Sequence, residues 1–512
     1  MPYYWRVPPE SGSVVVHRVR PRRWACHAGL APGPRAGSPA RWRIISLILA
    51  TLLGATACGS PGRSAAQADL AYPAGLWPQR PVVELTFDLA PDLSSAAGRE
   101  RIVFTPDAPV CELVFRAWPN APVLANQGTA LLVTAATVDG RTTPPRVLPA
   151  GAPPEAPGTL IELPLPECVP PGQPVSADLA FTLTFGSDVG DRIGFSGDPP
   201  MAWFATGFPL LAWVRGQGWA RDDAMAIPGE FATSETFDLR SLTVNAPSEF
   251  SVLGTGAATG ATPGAAPGTT SHRFTAGAVR DVAVSAGRFD VWHTEVNSVR
   301  IHLGTPATGT RVPPRVWLDR IAQDMQFLSG LFGPFPYRDL WVSVIPAQGS
   351  GLEFPTALQF GDIGQDDLPS LVAHELSHQW FYALVGNNQA ADPWLDEAFA
   401  TYGGVVATNG EAGYALAAVT QDRRGDMGRP MRYWNEQGDF DGYVQSVYTQ
   451  GGAVLVEARR RAGAIRFDAA LRAYVAANAH QIAQPGDVAR DFRELPEVRG
   501  LLVEYGALPP GS

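Results

Sequence analysis

His374-Glu375-Leu376-Ser377-His378 and, after eighteen intervening residues, Glu397 constrain the fold more than any other stretch of this chain. Residues four apart share one face of a helix, so the two imidazoles can point the same way. Glu397 lies in Trp394-Leu395-Asp396-Glu397-Ala398, where Pro393 can open a second helix. The fold must therefore bring two helices together until two imidazoles and a carboxylate meet. Such a set leaves a tetrahedral zinc ion one open position, as in catalytic rather than structural sites. Glu375, directly after the first imidazole, can face a bound water as general base. Asp396 reads as a solvated helix residue.

A chain of 512 residues exceeds one core and implies two or three domains. Its 45% hydrophobic and 17% charged content is that of a globular protein. A net charge of −10 argues against a nucleic-acid partner. All 39 basic residues are Arg, which excludes a P-loop or Schiff-base mechanism, since both need Lys.

Residues 1–57 read as a basic leader and signal peptide. Eight Arg stand against Glu10 up to residue 43, and Ile44 to Ala57 is an uncharged, mostly apolar run of 14 residues. That run is too short to span a bilayer and right for a signal-peptide core. Gly54-Ala55-Thr56-Ala57-Cys58 then resembles a bacterial lipoprotein cleavage site, with Ala55 where Leu, Val or Ile is usual. The expectation is an exported protein, attached to the outer face of the cell membrane by lipid at Cys58, or else secreted. Export permits a disulfide between Cys111 and Cys168; two separate buried thiols are the alternative.

Residues 58–80 read as a flexible tether. From Val82 the period becomes two: Val83, Leu85, Phe87 and Leu89 alternate with Glu84, Thr86 and Asp88. Strand-like runs follow at Arg101–Phe104, Glu112–Ala117, Ala130–Val138, Ala177–Phe185, Ser241–Ala246 and Asp281–Ala286. Residues 81–291 are thus an N-terminal all-β domain, a sandwich or saddle, with Ala257–Ser271 as an exposed loop. Residues 292–512 are α-rich. Val312–Leu331 has helical periodicity, Leu340–Pro346 is a buried strand, and Ala412–Asp422, Gly451–Ala462 and Phe467–Asn478 are helical.

VAHELSHQWF followed at this spacing by WLDEAFATY resembles the aminopeptidase N family of gluzincin metallopeptidases. The resemblance covers about residues 80–490, with specific motifs in 350–452. It implies an α+β protein whose N-terminal β domain precedes a thermolysin-like catalytic domain, without the large C-terminal helical domain of longer members. It implies one zinc ion per chain, held by His374, His378 and Glu397, with Glu375 as general base and peptides as substrates. Gly442 to Gly451 resembles the family's tyrosine segment. Tyr448 takes the place of the catalytic tyrosine and Tyr443 that of its companion, while Thr449 and Gln450 replace the usual Glu and Lys. Ser350-Gly351-Leu352-Glu353-Phe354 stands where the family has Gly-x-Met-Glu-Asn, and Glu353 matches the glutamate that binds a substrate's free α-amine. Phe354 in place of Asn leaves two alternatives open: a gluzincin endopeptidase or a hydrolase of non-peptide substrates. A third is an inactive surface lipoprotein used for binding, against which the intact set of ligands, base and tyrosine speaks. None of these motifs encodes an oligomeric state.

Overall fold

The alternation that begins at Val82 becomes strand Val82–Leu89, whose even positions are half-exposed and whose odd positions are buried. In this computed structural model, which describes residues 71–72, 77–187, 190–229 and 233–511, that strand lies inside an eight-stranded sheet. One neighbour is the antiparallel Ser95–Phe104; the other is the parallel Phe237–Pro247, far away in sequence. The signal-peptide stretch, Cys58 and most of the tether lie outside the described residues. Among the described residues, no helix is long and apolar enough to cross a membrane.

A four-stranded sheet (Ser251–Gly254, Ala283–Gly287, Pro200–Ala205, Ile193–Gly197) covers the large one. Phe204 packs edge-on against Phe87 and stacks on Phe185, joining the two layers. Ser285 faces the other way: its hydroxyl lies 2.9 Å from that of Ser343 and accepts from Gln359 Nε2 at 3.2 Å. Those partners belong to a five-stranded sheet in the order Phe289–Val296, Val299–Pro306, Asp339–Val344, Ala357–Phe360, Gly351–Phe354. The first of these strands runs across residue 292. The middle sheet is therefore enclosed on both faces, which explains its nearly continuous apolar run in Pro200–Ala205.

Helix Pro314–Phe332 connects two parallel strands of the five-stranded sheet and buries Trp317, Ile321, Met325 and Leu328 on one stripe. Helices Leu368–Ser377 and Trp394–Ala407 then pack on each other. Nearly every residue of the second is buried, so it is a core helix. Cys111 and Cys168 are joined as a disulfide between the neighbouring strands Val110–Arg116 and Leu160–Val169.

Two expectations fail. Ala257–Ser271 is not a loop: Ala257–Pro263 pairs as an edge strand with Thr269–Val279. Its small, exposed side chains conceal a backbone that completes the ladder, and an edge strand needs no apolar face outside. Ala412–Asp422 is not a helix but a series of turns. Gln421 Nε2 donates to the carbonyls of Leu416 and Val419, and Gln450 Nε2 to that of Thr420, so side chains take the acceptors a helix would use.

Glu100 breaks the pattern of its own strand. It occupies an inward position, only 2% exposed, between Leu85 and Leu179 on the adjoining strands. Its carboxyl oxygens have no hydrogen-bond partner among the described residues, and it shares a small cavity with Glu235. Burial pushes its pKa well above the ordinary carboxylate range. A raised folded-state pKa means that stability falls as pH rises above the unfolded value of about 4.3. Glu100→Gln is expected to stabilise the fold by about 1–3 kcal/mol at neutral pH. The gain should vanish below about pH 4, where the wild-type side chain is protonated in both states. Urea titrations at both pH values measure this; a pH-independent difference would mean Glu100 ionises freely in the fold.

Candidate metal centre

Helix Leu368–Ser377 carries His374 in its last turn and passes directly into His378, which caps it with helical backbone angles. Pro393 precedes helix Trp394–Ala407, which places Glu397 in its first turn. Their contact brings three donor atoms together. His374 Nε2 and His378 Nε2 are 3.2 Å apart, and Glu397 Oε2 lies 3.4 Å from the first and 3.5 Å from the second. Tetrahedral zinc with bonds near 2.0–2.1 Å requires ligand separations of about 3.4 Å. The triangle fits that ion.

The site is strongly negative. Burial works against ionising Glu397, but the two imidazoles more than offset it and hold its pKa at about 2. Burial likewise opposes a charge on His378, yet the carboxylates of Glu353, Asp396 and Glu397 raise its pKa well above the usual value. A field that favours a proton there favours a divalent cation more.

Asp396 is not solvated. It is fully buried; Oδ1 lies 2.6 Å from His378 Nδ1, and Oδ2 accepts from Gln389 Nε2 at 2.8 Å. The Phe381 carbonyl is a second acceptor for Nδ1, at 3.2 Å. With the Nδ1 proton so engaged, Nε2 presents its lone pair to the triangle, the usual support of a metal-binding histidine. The sequence reading missed this because it placed Asp396 on a helix with a wet face, and the helix has none.

Glu375 is buried, with the Glu353 carboxyl beside it. Strand Gly351–Phe354, the edge of the five-stranded sheet, runs past the zinc-ligand helix. Gly351 lies so close that a Cβ there would overlap the Glu375 side chain. Gln379 fixes this register: Nε2 donates to the Phe354 carbonyl and Oε1 accepts from Thr356 N, both at 2.9 Å. No motif pointed to Gln379. The Phe354 ring turns away into a small apolar cluster with Ala205, Ala283 and Ala357.

Tyr448 sits on a π-helical segment, Val444–Gln450. Its ring stacks on His374 with centroids 5.9 Å apart, and its phenol lies near Glu397 and Tyr443. Burial pushes the phenol pKa well up, so the group is a proton donor. Tyr443 is fully buried and meets the Tyr448 ring edge-on at 5.4 Å. All seven expected site residues therefore converge on one place.

Residues 364–503 match the peptidase family M1 domain. Among solved structures, an M1 zinc metallopeptidase from Deinococcus radiodurans is 21% identical, with a TM-score of 0.60 over 87% of this chain and 96% of that one. A mutant of it bound to Tyr-Ser-Ala substrate has a TM-score of 0.59 at the same identity and coverage. A two-domain M1 mutant bound to L-arginine is 21% identical, with a TM-score of 0.60 over 86% of this chain and 95% of that one. The shared fold is thus a β-rich domain followed by a helical catalytic domain.

Asp396→Asn tests the support of His378. Zinc affinity, read by competition with a chromophoric chelator, is expected to fall about 10–100-fold. Unchanged affinity would mean that the Phe381 carbonyl alone orients the ring.

Proposed function

With a peptidase family M1 domain built around a zinc site, the chain is a zinc metallopeptidase, and we propose that it is an aminopeptidase hydrolysing the N-terminal bond of peptides. Glu353 carries this reading: a buried carboxylate on an edge strand, beside the glutamate that follows the first imidazole. There it offers a cationic α-amine a partner beside the reacting centre. The strand edge can align an extended peptide by backbone pairing. Tyr-Ser-Ala and L-arginine, bound in the related structures, both carry a free α-amine, which supports the reading.

His374, His378 and Glu397 would hold the ion. When bound, zinc lowers the pKa of a water toward about 7 and polarises a substrate carbonyl. Glu375 takes a proton from the attacking water as its oxygen bonds to the carbonyl carbon. The same carboxyl then delivers that proton to the amine nitrogen as the C–N bond breaks. Burial raises the Glu375 pKa, which brings the group closer to the range in which it both accepts and returns a proton. Tyr448 donates its hydroxyl to the developing oxyanion. Tyr443, edge-on against the Tyr448 ring, helps to hold it in place.

The test is hydrolysis of free and N-acetylated aminoacyl reporters. Only free-amine substrates are expected to react. Glu375→Gln should abolish turnover while zinc stays bound, and Tyr448→Phe should lower kcat about 10²–10³-fold. Equal rates on acetylated substrates would replace this reading with that of an endopeptidase.

We further propose that the protein is exported and lipid-anchored at Cys58. The apolar run before that residue and the Cys111–Cys168 disulfide, which suits an oxidising compartment, support this. Cys58→Ala expressed in a bacterial host should move from the membrane to the soluble exported fraction. Unchanged membrane partition would remove the lipid anchor.

A further inference from the structure

We propose that Arg280 and Asp281, in the β part, are positioning residues for the zinc centre, acting through the 379–385 loop that supports His378. The proposal rests on the ligand set given above. The two residues join strand Thr269–Val279 of the large sheet to Ala283–Gly287 of the middle one. Neither contributes a ligand.

Arg280 is almost completely buried. Its guanidinium donates from Nε to the Ala383 carbonyl at 3.3 Å and from Nη2 to those of Leu384 and Gln481 at 3.5 and 3.4 Å. Nη1 donates to the Ser234 carbonyl at 2.6 Å. Gly386 leaves room for no side chain beside that guanidinium. Asp281 Oδ2 accepts from the Tyr382 hydroxyl at 3.1 Å and from Thr206 Oγ1 at 2.6 Å. The Tyr337 hydroxyl adds a bond to the Ala383 carbonyl at 3.2 Å. Carbonyls 383 and 384 and the hydroxyl of residue 382 are thus all held from outside the loop.

The loop needs such holding. Tyr382 has a φ of +100°, a region that side-chain-bearing residues avoid unless their surroundings impose it. The loop also touches the ligand from two directions. Ala383 N donates to the His378 carbonyl at 3.0 Å, and the Phe381 carbonyl accepts from His378 Nδ1 at 3.2 Å. Relaxation at Tyr382 would withdraw one of the two acceptors of Nδ1 and leave Asp396 to orient the ring alone. The β domain therefore sets the aim of one zinc ligand.

Zinc affinity of the full chain, measured by chelator competition, tests this. Tyr382→Phe deletes one hydroxyl, and Arg280→Met removes the guanidinium. Trp341→Phe serves as control, because Trp341 Nε1 ties the same two domains through the Gly256 carbonyl at 2.7 Å, away from the loop. Both loop variants are expected to bind zinc about tenfold more weakly. The control should keep wild-type affinity even if it melts earlier. Wild-type zinc affinity in Tyr382→Phe and Arg280→Met would overturn the proposal and reduce the contacts to domain cohesion. Should Arg280→Met not fold, Tyr382→Phe decides alone. Failure of the wild type itself to bind zinc would instead overturn the ligand set.

Discussion

Four carboxyl groups, those of Glu353, Glu375, Asp396 and Glu397, are buried around two imidazoles. In a medium of low dielectric such a gathering repels itself unless protons or a cation share the charge. The groups respond unequally: burial raises Glu375 and Asp396, with Glu397 adding to both shifts, while the imidazoles hold Glu397 ionised. A divalent ion among them removes most of the repulsion. Much of the surrounding structure exists to keep these charges in place without it. Gln389 holds Asp396, Gln379 holds the strand carrying Glu353, and the absence of a side chain at Gly351 lets that strand approach.

The layering of the sheets serves the same end. The middle sheet presents Phe204 to the large sheet and Ser285 to the five-stranded one, so both neighbours are keyed to it. The edge strand with Glu353 and the helix with Glu375 thereby acquire a fixed distance from the β domain. Arg280 and Asp281 lead into the same layer and hold the loop that follows the zinc-ligand helix. One sheet system thus supports both the strand that carries Glu353 and the loop behind His378.

Much of this was legible in the sequence, for identifiable reasons. His374, His378 and Glu397 announce themselves through spacing, because helix geometry makes spacing equivalent to direction. Strand Val82–Leu89 was equally plain, since one of its faces is wet. Where both faces are buried the signal disappears: Asp396 looked solvated because nothing local shows that a helix lacks a wet side. Arg280 and Asp281 sit at a corner between strands, and their partners lie about a hundred residues on, so no window of sequence contains the interaction. Ala257–Pro263 was misread because composition reports side chains, while an edge strand is held by its backbone.

The parallel pairing of Val82–Leu89 with Phe237–Pro247 has a consequence for timing. One edge of that first strand pairs at once with Ser95–Phe104, but the other waits for a partner some 150 residues later, and closing such a long loop is slow. Arg280 follows that partner, and the loop it grips comes about a hundred residues later still. In a nascent chain the residues that aim the site thus emerge before the two imidazoles and the carboxylate of Glu397 that complete it. Competence to bind metal tightly, and with it the capacity to cut other polypeptides, arrives at the end of folding rather than along the way.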